Sequence, residues 1–277
     1  MAEFLVGGDL EVRRLGFGAM HLPTEPGCDR ENSLAVARRA VELGVGLIDT
    51  AFMYGAGANE ELLAEALYPY PDGLLVTTKV GVSVTESVDW KLDGRPEVLR
   101  NQVEAALRRL RVERIELLQL HRVDPETPLA DQVGALRELR AEGKIGRIGL
   151  SEVTAGELAR AREIVEIATV QNRYNLLDRE HEPVLTACEA AGIAFLPWRP
   201  VMWGDSGTRA EIAAVAAEVG ATPTQVAIAW LLGHSPVMVP IPGTARIPHL
   251  EENVAAEGLV LSGAHRDRLD RLAPLPG

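Results

Sequence analysis

The stretch "GLIDTAFMYG" (46–55) begins as a short apolar run, stops on Asp49 and places Tyr54 five positions later. A brief apolar run closed by a polar residue reads as a buried strand whose C-terminal end opens into a loop. The same shape recurs in "RLGFGAM" (14–20), "LLVTTK" (74–79), "IELLQLH" (115–121), "IGRIGLS" (145–151), "IATVQN" (167–172), "IAFLPW" (193–198) and "VMVPIPG" (237–243), which makes eight runs. Between them lie amphipathic stretches of helical period, such as "RENSLAVARRAVELG" (30–44), "RPEVLRNQVEAALRRLR" (95–111), "TPLADQVGALRELRAEG" (127–143) and "TQVAIAWLLGH" (224–234). Pro96 and Pro128 suit first helical turns, and Gly44, Gly143, Gly192 and Gly233 suit positions just past a last turn.

Strands alternating with helices pair in parallel, and eight of them in 277 residues predict an α/β fold of the closed (β/α)8 TIM barrel type. The runner-up is a flat doubly wound sheet with a separate domain. Residues 1–12, with "GGD" as a turn between two β-like stretches, predict an N-terminal β-hairpin capping the barrel bottom. No internal repeat or linker divides the chain, so residues 1–277 are expected to form a single domain.

The net charge of −12 argues against nucleic acid or an anionic membrane surface as a partner, because both call for a basic footprint. No stretch approaches the roughly 18 apolar residues of a membrane span. The N-terminal "MAEFLVGGDLEVRRLG" carries an acid at position 3 and lacks the basic-then-apolar layout of a secretory signal, so a cytoplasmic protein is expected. Cys28 and Cys188 lie far apart and read as incidental thiols.

In a TIM barrel the reacting groups sit at the C-terminal ends of strands. Here successive runs end on Asp49, Lys79, His121, Ser151, Gln171 with Asn172, and Trp198. Lys79 is the most informative, since only three of the 28 basic residues are lysines. A lysine at a strand end can form a Schiff base, or act as a compact charge on a neighbour. Beside Asp49 it would be held as an ion pair; beside Tyr54 it would favour the phenolate and lower the phenol pKa, making Tyr54 a usable general acid. His121 reads as a structural histidine or as a donor that positions a carbonyl oxygen.

No metal site is expected: there is no HExxH, and Asp49 and His121 lack a third ligand at a strand end. "GAGANE" (55–60) ends on Glu60 where a dinucleotide fingerprint needs glycine, and reads as a loop and helix start. In "PIPGTARIPHLEENVAA" (240–256), Gly243 and Thr244 precede a helical segment, and Arg246 and His249 form a local basic spot of the kind that binds phosphate.

With these residues in place, the chain resembles the aldo-keto reductases from about Leu15 to Leu261. The family's Asp, Tyr, Lys and His tetrad maps onto Asp49 and Tyr54 in "IDTAFMYG", Lys79 in "VTTKVG" and His121 in "LLQLHRVD". Further matches are "GKIGRIGLSEV" (143–153), "VQNRYN" (170–175), "IAFLPWRPV" (193–201) and "IPGTARIPHLEENVA" (241–255). The resemblance implies NADPH-dependent reduction of an aldehyde or ketone without metal, with Tyr54 protonating the carbonyl oxygen. It implies that Ser151 and Gln171 hold the nicotinamide carboxamide, that Trp198 replaces the usual stacking tyrosine with Pro200 beside it, and that Gly243, Thr244, Arg246, His249, Glu252 and Asn253 grip the adenosine 2′-phosphate and adenine.

Three departures matter. The usual "SN" is "SE" here, so Glu152 would meet the carboxamide as an acceptor only. His249 stands where many members carry arginine, which softens the preference for NADPH over NADH. The tail "LAPLPG" (272–277) is short, and compact bacterial reductases, including pyridoxal reductase-like members, are most similar. Met53, Tyr54, Val82, Trp90 and "MWGDSG" (202–207) are expected to shape an apolar, partly aromatic pocket for a small-molecule carbonyl substrate, pyridoxal among the candidates. The expected state is a monomer or small homo-oligomer. A non-catalytic NADPH-binding sensor subunit and a Schiff-base aldolase using Lys79 are the alternatives.

Overall fold

The computed structural model describes residues 3–84 and 90–273. A hairpin of β1 (Glu3–Val6) and β2 (Leu10–Arg13) leads into β3 (Phe17–Gly18), α1 (Arg30–Glu42), β4 (Leu47–Asp49), α2 (Ala58–Leu67) and β5 (Leu75–Val80). A second hairpin, β6 (Val82–Val84) and β7 (Trp90–Leu92), precedes α3 (Pro96–Leu110), β8 (Ile115–Leu120), α4 (Leu129–Ala141), β9 (Ile145–Ser151) and α5 (Ala155–Arg162). Then come β10 (Thr169–Gln171), α6 (Glu182–Ala191), β11 (Ala194–Phe195), α7 (Ser206–Val219), α8 (Pro223–His234), α9 (Ile247–Ala255) and α10 (Gly263–Asp270). The helices start and stop for local reasons. Pro96 occupies the first turn of α3, whose apolar Leu99, Val103, Ala106, Leu107 and Leu110 recur at helical spacing and are buried. Thr154 and Thr222 build capping boxes on α5 and α8. Gly233, expected beyond the last turn, lies inside α8.

Seven strands pair in parallel in the order β3, β4, β5, β8, β9, β10, β11. The eighth run, 237–243, closes the barrel without forming a regular strand. On one side it bonds to β11: Phe195 N–H donates to Val237 O (2.9 Å) and Val239 N–H to Phe195 O (2.8 Å). On the other side Pro240 O and Pro242 O accept from Gly16 N–H (2.9 Å) and Gly18 N–H (3.2 Å). Proline has no N–H to return, so only half of that ladder forms. The closure is also tight: a Cβ on Gly243 would stand 2.5 Å from Gly18 O, so glycine is needed where the first and last runs meet.

Inside the barrel, Leu47, Leu75, Leu117, Ala168, Ala194, Leu196 and Val239 form one buried cluster with Val6 and Val12 of the hairpin. The hairpin therefore plugs the N-terminal mouth of the barrel, and Arg147 of β9 pins its turn through Asp9 (2.6 Å). Each fully buried leucine stabilises the closed state by about 1.5–3 kcal/mol. Among the described residues no single helix is long and apolar enough to cross a membrane. Residues 274–277 of the tail lie outside those described.

Candidate active site

Parallel register brings the polar strand ends to one mouth. Asp49 closes β4, Lys79 stands one residue from the end of β5, and His121 follows β8, fixed by its N–H donating to Val80 O (2.8 Å). Lys79 Nζ donates to Asp49 Oδ2 (2.6 Å), Thr50 O (2.9 Å) and the Tyr54 hydroxyl (3.5 Å). Asp49 Oδ1 accepts from Gln119 Nε2 (3.1 Å) and Gln171 Nε2 (2.8 Å), so both carboxylate oxygens are engaged. The His121 ring meets the Tyr54 ring edge to face, 6.4 Å between centroids.

Tyr54 reaches this mouth through a turn with left-handed backbone at Gly55 (φ 64°), Ala56 (φ 51°) and Gly57 (φ 95°). A Cβ on Gly55 would stand 2.5 Å from Thr24 Oγ1, so the turn requires glycine there. Behind it, Thr50 donates to Asn59 (2.7 Å), and Thr78 (2.6 Å) and Arg109 (2.5 Å) both donate to the buried Glu60. "GAGANE" is thus the turn and the start of α2, and its Asn59 and Glu60 brace the strands that carry Asp49 and Lys79.

Burial pushes the Tyr54 phenol up, and the neighbouring Lys79 only partly offsets this. The lowered phenol expected from the sequence is therefore corrected: Tyr54 is a protonated phenol at neutral pH. Burial also works against the Lys79 ammonium, but Asp49 and Tyr54 together outweigh it and raise its pKa. Burial, reinforced by Lys79 and Arg122, holds His121 well below its ordinary value, leaving a neutral imidazole.

A cavity of about 640 Å³ opens over this cluster. Asp49, Tyr54 and His121 line one part of it; Ser151, Gln171, Trp198 and Pro200 line the wall formed by the next strand ends. Gly243, Thr244, His249, Glu252 and Asn253 line the part beside α9. Arg246 does not line the cavity; it is exposed at the N-cap of α9, its backbone N–H donating to Thr244 Oγ1 (3.1 Å). Met53 and Trp203 border the cavity as expected, whereas Val82 and Trp90, on the second hairpin, do not. Among the described residues no group of His, Cys, Asp and Glu is arranged to hold a metal.

Glu152 behaves differently from its sequence reading. It adopts φ 54°, and its Oε1 accepts from Trp198 Nε1 and from the Arg173 backbone N–H. The carboxylate is thus turned onto the indole and clamps it. Gln119 and Arg122 were not singled out by the sequence. Gln119 carried a detectable signal: it is the polar residue two before His121 in an otherwise apolar strand, hence on the same face. Arg122 simply follows His121, and only the fold reveals that it lines the cavity.

A closed parallel barrel with an Asp, Lys, Tyr and His set at the cavity over its strand ends is the architecture of a barrel enzyme. The model of the Aldo/keto reductase family matches residues 14–205 and 206–274, and the chain belongs to that family. It is 43% identical over 269 residues to an uncharacterized oxidoreductase of Schizosaccharomyces pombe, covering 95% of this chain and 87% of the relative. It is 38% identical over 276 residues to the pyridoxine 4-dehydrogenase of Escherichia coli, covering 96% of each. An aldo-keto reductase from Klebsiella pneumoniae, solved in complex with NADPH, superposes with a TM-score of 0.86 at 28% identity, covering 100% of this chain and 97% of the other.

Proposed function

We propose that this chain reduces an aldehyde or ketone to the alcohol with NADPH, and that Tyr54 is the general acid. The observation that carries the reading is the buried Lys79 ammonium between Asp49 and the Tyr54 hydroxyl on the cavity wall. NADPH, when bound, supplies a hydride from nicotinamide C4. Tyr54 gives its proton to the carbonyl oxygen as negative charge develops there, and the fixed ammonium of Lys79 stabilises the phenolate left behind. Asp49 holds Lys79, and neutral His121 has one N–H with which to orient the carbonyl.

The cavity's volume of about 640 Å³ and its polar lining support such a cofactor. In this reading Ser151 and Gln171, which line the cavity, would hold the carboxamide, and the clamped indole of Trp198 would meet the nicotinamide ring. Gly243, Thr244, His249, Glu252 and Asn253 line the end assigned to adenosine, and Arg246 at the N-cap of α9 is assigned with His249 to the 2′-phosphate. Residues 1–277 then act as one domain, in the cytoplasm, as a monomer or small homo-oligomer.

The test is NADPH oxidation with a panel of aldehydes and ketones, pyridoxal included because the Escherichia coli relative is named for pyridoxine, and NADH as comparison. Tyr54→Phe should fold, bind NADPH and lose about 10²–10⁴-fold in turnover. Turnover at the wild-type rate in this variant sinks the assignment. Saturable NADPH binding with no turnover of any carbonyl favours the sensor reading instead.

A further inference from the structure

Arg122 lines the cavity beside Tyr54 and His121 and makes no ion pair or hydrogen bond with a carboxylate among the described residues. Its Nη1 donates to the neutral acceptors His121 O (2.7 Å) and Ser151 Oγ (3.1 Å). Nε and Nη2 have no protein acceptor among the described residues. Other buried or half-buried arginines are satisfied differently, Arg179 by Asp270 (3.6 Å) and Leu176 O (3.3 Å). Arg109 pairs with Glu60, Arg13 with Glu257 and Arg147 with Asp9, while Arg14 directs its fork to the carbonyls of Met238, Leu232 and Ser235. Glu152, the carboxylate close enough to act on Arg122 electrically, is turned onto Trp198 and the Arg173 N–H.

A half-buried guanidinium without a counter-ion is costly to desolvate, and the cost falls when an anion binds. At this end of the cavity Asp49 is paired with Lys79, and Glu152 is engaged by Trp198 and the Arg173 N–H, so the Arg122 fork keeps donors free for an oxyanion. A carbonyl whose oxygen reaches Tyr54 and His121 lies in the same cavity that Arg122 lines. A guanidinium fork matches an oxyanion in geometry as well as charge.

We propose that Arg122 is a specificity-determining residue that holds an anionic group of the substrate, so that the preferred carbonyl compounds carry a carboxylate or phosphate near the reacting carbon. This rests on the proposed reductase reading and names the substrate class for it. Should Arg122 merely buttress Ser151, its loss would depress all substrates alike.

The experiment compares kcat/KM for two matched pairs, 4-formylbenzoate against its methyl ester and pyridoxal 5′-phosphate against pyridoxal, in wild type, R122Q and R122K. The quantity read is the anion-to-neutral ratio within each pair, in which any general loss of turnover or cofactor binding cancels. R122Q should lower the ratio about ten- to a hundredfold in at least one pair, mainly through KM, and that pair identifies carboxylate or phosphate. R122K should restore part of it, since it keeps charge without the fork. Ratios in R122Q equal to wild type in both pairs overturn the proposal while leaving the reductase reading intact. If no carbonyl is reduced at all, the reductase reading falls, and calorimetric binding of 4-formylbenzoate decides for Arg122: binding at least tenfold weaker in R122Q supports the anion role, and equal binding overturns it.

Discussion

The Lys79 ammonium lies 2.6 Å from Asp49 Oδ2, on neighbouring strands whose register pairs Asp49 with Thr77, and the two residues are only 1% and 2% exposed. Removing one member leaves the other as an uncompensated buried charge. Lys79→Met should therefore cost about 3–5 kcal/mol in urea unfolding. Adding Asp49→Asn should recover a substantial part, because an asparagine oxygen can still accept from Gln119 and Gln171 while the stranded charge is gone. A double variant as unstable as the sum of both single variants would show the two side chains to be uncoupled.

The buried His121 leads to a pH prediction. In the folded chain its pKa lies well below 6.5, so from the unfolded value near 6.5 downward the unfolded state takes up a proton that the folded state refuses. Stability is lost as pH falls through that window and is fully present above it. The wild type should lose up to about 2 kcal/mol more than His121→Asn between about pH 6.5 and pH 5, at about 1.4 kcal/mol per pH unit. Reduction should likewise show no titration limb near pH 6.5. Its limb should lie on the alkaline side, where the raised phenol of Tyr54 finally ionises. Equal acid sensitivity in wild type and variant would place a charged imidazole in the fold.

Much of this site was legible in the sequence because a parallel barrel turns strand ends into a single mouth. The residues that close the apolar runs include Asp49, Lys79, His121, Ser151 and Gln171, and the sequence alone marks each of them. What escaped depends on burial and side-chain direction. The Tyr54 phenol was expected to move down beside Lys79, but enclosure by the barrel mouth, a long-range consequence of folding, dominates and moves it up. Glu152 was expected to face the carboxamide, whereas its left-handed backbone turns it onto Trp198. The eighth run was expected as a strand like the others, and Pro240 and Pro242 leave it with half a ladder.

Cofactor choice is tested at the rim of the cavity beside α9. Arg246 is exposed and caps α9 through its backbone, and its side chain makes no hydrogen bond or ion pair to another described residue, so replacing it should leave folding unaffected. If its guanidinium pairs with the 2′-phosphate that distinguishes NADPH from NADH, Arg246→Ala should raise the KM for NADPH about ten- to a hundredfold, the loss expected for a hydrogen-bonded charge pair. The KM for NADH should hardly move, because that nucleotide has no phosphate to lose. The NADPH interaction should also weaken with added salt in the wild type and much less in the variant, since an exposed ion pair is screened. His249→Arg, which places a second guanidinium one helical turn along α9, should strengthen the preference for NADPH. Steady-state kinetics with both nucleotides at two salt concentrations measures all of this, and an Arg246→Ala enzyme with an unchanged NADPH-to-NADH ratio would remove Arg246 from phosphate recognition.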